Sequence, residues 1–182
     1  VIDCAADPGL DALRCALNIP VVAPGEIAFH YAATLGHRFS IIDIGADTSA
    51  MVESQIAKYG LATRYASLRS TGISVEDIEH VPDIANVLSE AALEAIEQDG
   101  ADVVVLGCTG FAGCTARMEK ILKDKGYQVP VVDPIAVAIR SLTMMVVEGH
   151  CHSKKTWPKP VKGGKRLGGY LEYDILHKLY KS

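Results

Sequence analysis

The sequence predicts an α/β protein in which parallel sheets are covered by helices. Short β-branched and aliphatic runs, Val103-Val104-Val105-Leu106 above all, lack polar alternation and read as strands buried on both faces. These runs alternate along the chain with helical patterns instead of clustering. A hydrophobic fraction of 49% with only 6% aromatic residues describes an aliphatic core that needs no disulfide staples. The 182 residues leave room for one ordinary domain, or for two small ones sharing a sheet edge.

Taken in order, residues 1–4 read as the last half of a strand. Asp7 is placed to cap a helix with Pro8 in its first turn, and Leu10, Leu13, Ala16 and Leu17 give that helix one apolar face. Ile19-Pro20-Val21-Val22 reads as a short strand, after which Pro24-Gly25 turns the chain into a helix over residues 26–35. A strand over residues 38–44 ends at Gly45, and Asp47, Thr48 and Ser49 offer caps for a helix reaching to near Gly60. Residues 63–68 read as a further strand and 70–81 mainly as loop. Over residues 82–98, Ile84, Val87, Leu88, Ala91, Ala92 and Ala95 fall at helical spacing, and Gly100 ends that helix. After the run at Val103 and Cys108, a helix is expected over residues 112–125, stopped by Gly126. Val129-Pro130-Val131-Val132-Asp133 is another buried strand, and Pro134 starts a long aliphatic helix over residues 135–147. From Gly149 the texture is extended loop, with residues 170–180 predicted to close the chain as a helix.

The net charge of −4 conceals an asymmetry: residues 153–182 carry about +6 and the body before them about −10. The basic tail lacks any motif of a nucleic-acid-binding module and reads as a solvated edge that also contacts the acidic body. No apolar run approaches the ~18 residues that span a bilayer, and no secretory signal is visible. Five cysteines, an odd number without CxxC pairs, fit reduced thiols in a cytoplasm. His150-Cys151-His152 holds three potential metal ligands in a row, but consecutive residues in an extended segment point in alternating directions, so a surface turn is expected. Gly107, Gly110 and Gly113 do not reproduce dinucleotide spacing, and Gly163-Gly164-Lys165-Arg166 is not a phosphate loop.

Chemistry is expected at two places. Cys108 follows a buried strand and precedes a helical pattern, the position where open α/β sheets bind ligands. Backbone N–H groups and a helix dipole there would favour its thiolate. Cys4, followed by Ala5, Ala6 and Asp7, repeats the arrangement of strand, cysteine, small residues and helix. Two thiols facing each other across a cleft suit the inversion of a carbon α to a carbonyl, which needs a base on one face and an acid on the other. One thiol and one thiolate can coexist near neutral pH. The N–H groups of Thr109 and Gly110, and of Ala5 and Ala6 on the other side, would stabilise the carbonyl oxygen, so neither metal nor organic cofactor is required.

The segments IDCAADPGLDALR, IPVVAPGEIAFHYAA, GHRFSIID, QDGADVVVLGCTGFAG and VPVVDPIAVA resemble the aspartate/glutamate/hydantoin racemase superfamily, specifically its hydantoin/allantoin racemase branch. The resemblance runs from Val1 to about His152. It implies a cofactor-independent racemase in which Cys4 and Cys108 are the two acid/base residues, acting on a small-molecule substrate with neither nucleic acid nor membrane as partner. Assembly into a homo-oligomer stays open. It also implies two flavodoxin-like lobes: residues 25–126 as the second lobe, and residues 1–24 with 127–182 as what is present of the first. Family members carry a further strand-helix-strand-helix stretch before the first cysteine, so the chain is expected to be N-terminally truncated with its first lobe incomplete. Asp43 and Ile44 stand where relatives often have hydroxyl residues, which favours a neutral ring amide over a free carboxylate substrate. Maleate isomerisation by covalent cysteine chemistry, and a non-catalytic binding remnant, stand as alternatives; arylmalonate decarboxylation fits less well, since those relatives generally keep only the cysteine equivalent to Cys108.

Overall fold

The computed structural model describes residues 1–160. Its centre is a parallel sheet of four strands, β1 (Phe39–Asp43), β2 (Tyr65–Ser70), β3 (Val103–Leu106) and β4 (Val131–Val132), in the order β2-β1-β3-β4. Six helices accompany it among the described residues: α1 (Leu10–Ala16), α2 (Pro24–Leu35), α3 (Ser49–Lys58), α4 (Ile84–Asp99), α5 (Thr115–Asp124) and α6 (Pro134–Val147). The α/β class with a parallel sheet is therefore as the sequence predicts.

Each strand's apolar run is explained by helices on both faces. Leu88, Ala92 and Ala95 of α4 and Met118 and Leu122 of α5 pack on Ile42, Val104 and Leu106. Ala28, Phe29 and Ala32 of α2 and Val52 and Ile56 of α3 pack on Phe39, Ile41, Val103 and Val105 from the other side. Because β3 has a strand on either side as well as helices above and below, none of its four residues is accessible to solvent. The outer strand β4 follows residue 126 in sequence yet pairs with β3, and α6 lies against α2.

Several boundaries move for local reasons. The helix expected from residue 26 starts at Pro24, whose fixed φ and missing N–H suit the first helical position. The helix expected from residue 112 starts at Thr115, because Thr109–Phe111 forms a single 3-10 turn and Gly113 has a φ of 86°. The segment read as loop contains a 3-10 helix, Val75–His80. Residues 1–4 and 19–22, expected as strands, form no ladder: the chain bends at residues 3, 4 and 19, and the two segments share one backbone bond, from Ile2 N–H to Val22 C=O (3.0 Å). The described residues form one sheet, and these two segments are not part of it. The helix expected over residues 170–180 lies outside the described residues, as does most of the basic tail. No helix among the described residues is long and apolar enough to cross a membrane.

Candidate active site

Cys108 leaves the carboxyl end of β3 in extended conformation and opens the Thr109–Phe111 turn, so its half-buried thiol stands above the sheet. Gly107 holds it close: its N–H donates to Ile42 C=O (2.7 Å), and a Cβ on it would meet Asp43 Cβ, Asp43 Cγ and Ile41 Cγ2 at 2.9 Å. Phe111, fully buried, pins the far side of the turn.

The electrostatics reverse one expectation. Burial, first, pushes the Cys108 thiol up, and the charges of Asp43, Cys4 and Asp3 push the same way; only the Gly110 N–H opposes them. The helix dipole invoked for the thiolate is not aimed at this sulfur, since α5 begins seven residues later in the chain and only one 3-10 turn adjoins Cys108. Cys108 therefore holds its proton more tightly than an ordinary thiol.

Cys4 is solvent-exposed and belongs to a turn closed by Asp7 N–H donating to Cys4 C=O (3.0 Å). Ala5 and Ala6, both half-buried, fill this turn. Ala5 C=O accepts from Gln55 Nε2 (2.8 Å) on α3. Asp7 does not cap its own helix, as the sequence suggested: α1 begins after Gly9, which has a φ of 71° and offers no side-chain cap. Instead the Asp7 carboxylate, buried, caps the next helix. It accepts from Gly25 N–H (2.8 Å) and Glu26 N–H (2.6 Å) at the start of α2, and from Gln55 Nε2 (2.9 Å) and Tyr59 O–H (2.6 Å). Burial outweighs these donors and pushes the Asp7 carboxyl above its ordinary range.

The fold thus brings Asp3, Cys4 and Asp43 within electrostatic reach of Cys108. Asp43, at the carboxyl end of β1, is buried, with its carboxylate held by Ile44 N–H (2.8 Å) and Thr48 O–H (2.7 Å). Asp133, a second strand-end acid, is occupied as the cap of α6 through Ile135 N–H and Ala136 N–H, and also accepts from Gly113 N–H (3.1 Å).

Residues that sequence reasoning passed over tie the first cysteine's segment down. Arg14 of α1, buried, donates to Val21 C=O (3.2 Å) and both oxygens of Glu26 on α2 (3.0 and 2.5 Å). The segment after α6 folds back over α1: Lys154 donates to the exposed carbonyls of Arg14 (2.6 Å) and Leu17 (2.5 Å), and Trp157 covers the Arg14 guanidinium at 5.0 Å. His152, placed by the sequence in a surface turn with Cys151, accepts Val21 N–H at Nε2 (2.7 Å) and packs edge-on to Trp157. No local pattern marks this cluster, because His152 and Lys154 lie more than a hundred residues from the partners they bond.

With this geometry in place, the relatives can be compared. The description of the Asp/Glu/Hydantoin racemase family matches residues 1–142. A hydantoin racemase from Pseudomonas sp. (strain NS671) is 33% identical over 174 residues, covering 94% of this chain and 67% of its own length. An allantoin racemase from Klebsiella pneumoniae superposes with a TM-score of 0.81 at 28% identity, over 92% of this chain and 66% of the other. An allantoin racemase from Pseudomonas fluorescens gives a TM-score of 0.80 at 32% identity, over 90% and 68%. The chain spans about two thirds of the length of these relatives.

Proposed function

Since the chain belongs to the Asp/Glu/hydantoin racemase family, we propose that it inverts a carbon α to a carbonyl, in a hydantoin-type ring, with Cys4 and Cys108 as the two proton-transfer groups. The observation that supports this reading is that the fold brings Cys4, 104 residues earlier in the chain, near enough for its charge to oppose ionisation of Cys108, with each cysteine on a turn and neither thiol fully buried.

In this mechanism one thiolate removes the α-proton, the C–H electrons pass into the neighbouring carbonyl as an enolate, and the other thiol delivers its proton to the opposite face. Cys108, held protonated by its burial and by Asp43, starts as the acid, and Cys4 starts as the base; the reverse reaction exchanges the roles. Backbone N–H groups of Ala5, Ala6, Thr109 and Gly110, on the two cysteine turns, would stabilise the developing oxyanion. Both proton-transfer groups come from the chain, so the reading assigns no cofactor. The hydantoin and allantoin racemases among the relatives support a cyclic amide as substrate. The buried carboxylate of Asp43 supports it too, since it would repel a free carboxylate from the rim of the site.

Replacing Cys108 with Ser tests the reading. Wild-type protein should exchange the α-hydrogen of a 5-substituted hydantoin with solvent deuterium while racemising it, and the Cys108→Ser variant should racemise nothing. Undiminished racemisation by that variant rules the mechanism out. A cytoplasmic setting, suggested by five unpaired thiols, belongs to the same proposal.

A further inference from the structure

The turn that carries Cys4 has no sheet beneath it, yet six hydrogen bonds hold it. Its closing bond runs from Asp7 N–H to Cys4 C=O, four end on the Asp7 carboxylate, and one ends on Ala5 C=O. We propose that Asp7 is the positioning residue for Cys4, fixing the thiol opposite Cys108 by clamping its turn to the start of α2 and to α3. The proposal rests on the racemase reading above and adds to it a residue that does not touch substrate.

Three features set Asp7 apart from an ordinary helix cap. Ala23, the residue at the cap position of α2, supplies no side-chain bond, so the cap comes from a carboxylate 18 residues upstream, on the cysteine's own turn. Capping the helix and placing the cysteine are therefore one act. Second, Asp7 has a φ of 54°, the one residue other than glycine with positive φ among those described. That conformation costs energy for an L-residue, and it turns the side chain back toward α2. Third, the fit is tight from the other side: a Cβ on Gly25 would collide with Ala5 O and lie 2.8 Å from Asp7 Oδ2. Gln55 bonds both the Asp7 carboxylate and the Ala5 carbonyl through one amide nitrogen, so the clamp reaches the residue next to Cys4. The carboxylate is satisfied by neutral donors alone, which costs stability relative to leaving it in water; burial pushing its pKa up reports that cost. Such a group is poorly explained as a stabilising device and well explained as a locating one.

Asp7→Asn separates the two roles. Asparagine tolerates positive φ but offers one acceptor oxygen to four donors. A displacement of the thiol by about 1 Å should lower racemisation about 100-fold, chiefly in kcat. Exchange of the α-hydrogen with solvent should then survive for the enantiomer whose hydrogen faces Cys108 and fall for the one facing Cys4. Peptide-mapped alkylation by iodoacetamide should change in rate several-fold at Cys4 and not at Cys108. Wild-type racemisation in Asp7→Asn, or equal loss of exchange from both enantiomers with both thiols alkylated at wild-type rates, overturns the proposal. Gln55→Ala, which leaves Asp7 in place and removes the tie to Ala5 O, should show the same one-sided pattern at smaller amplitude; it decides the question if Asp7→Asn does not fold. If wild-type protein exchanges no α-hydrogen on any hydantoin, the racemase reading fails, and the alkylation arm still tests whether Asp7 positions Cys4.

Discussion

The turn at Cys108 is built on a strand, whereas the turn at Cys4 is built on side chains. Beneath Cys108 lies β3, paired on both edges and buried throughout, with Gly107 letting β1 approach closely. Beneath Cys4 there is no ladder, and its place is set by Asp7, Gln55 and Tyr59, reaching across from α3 and from its own turn. The first arrangement gains rigidity from backbone pairing and close packing. The second gains it from a few directional bonds, each worth about 0.5–1.5 kcal/mol net. The two cysteines proposed as proton-transfer groups thus differ widely in how firmly they are held.

That contrast can be broken by experiment. Leu106→Ala, which empties a fully buried site at the end of β3, should cost about 2–5 kcal/mol and lower the urea midpoint of the whole chain. Gly107→Ala forces a Cβ against Asp43 and Ile41, and should cost about 1–3 kcal/mol by the same measurement. Tyr59→Phe removes one of the four donors to Asp7 and should cost about 0.5–1.5 kcal/mol. It should speed hydrogen exchange at the Asp7 amide more than at the amides of β3. Equal acceleration at both places would mean that the two turns are held in the same way.

The electrostatic side of the comparison is sharper still. Alkylation of Cys108 by iodoacetamide should reach its half-maximal rate at a pH above that of an ordinary thiol, and Asp43→Asn should move this midpoint down, because the Asp43 charge opposes ionisation. An upward or absent shift contradicts the assignment of Cys108 as the resting acid. The smallest effect is expected at His152, whose imidazole burial and the Arg14 charge pull below its ordinary pKa. The folded form prefers the neutral ring, so its contribution is full above ~6.5 and is lost as pH falls from there toward the folded value. Trp157, the one tryptophan in the sequence, packs on His152 and should report that loosening as a change in fluorescence.

Legibility in the sequence follows the same division. The run Val103-Val104-Val105-Leu106 and the helical spacing of residues 84–95 announce β3 and α4, because burial on both faces and helical amphipathicity leave local patterns. The place of Cys108, just past that strand, is legible for the same reason. Cys4 was readable as a residue, but not its support: the partners of Asp7 lie between 18 and 52 residues away, and no local spacing encodes such bonds. Residues 1–4 and 19–22 have the composition of strands and lack the neighbours that make one, since a strand exists only through its pairing. The expected thiolate at Cys108 failed because desolvation depends on how deep the turn sits, which no motif states.

The parallel sheet also imposes an order of events on folding. Every strand pairing in it joins segments separated by a crossover, so the chain must close long loops before any of them is rewarded. Strand β3 is the hub, and α2 and α3, which hold the clamp on Asp7, rest against Val103 and Val105. During synthesis the turn at Cys4 therefore leaves the ribosome before the sheet does, yet it has nothing firm to dock on until the chain has been made past residue 106. Of the two thiols, the one made earlier is the later to be fixed in place.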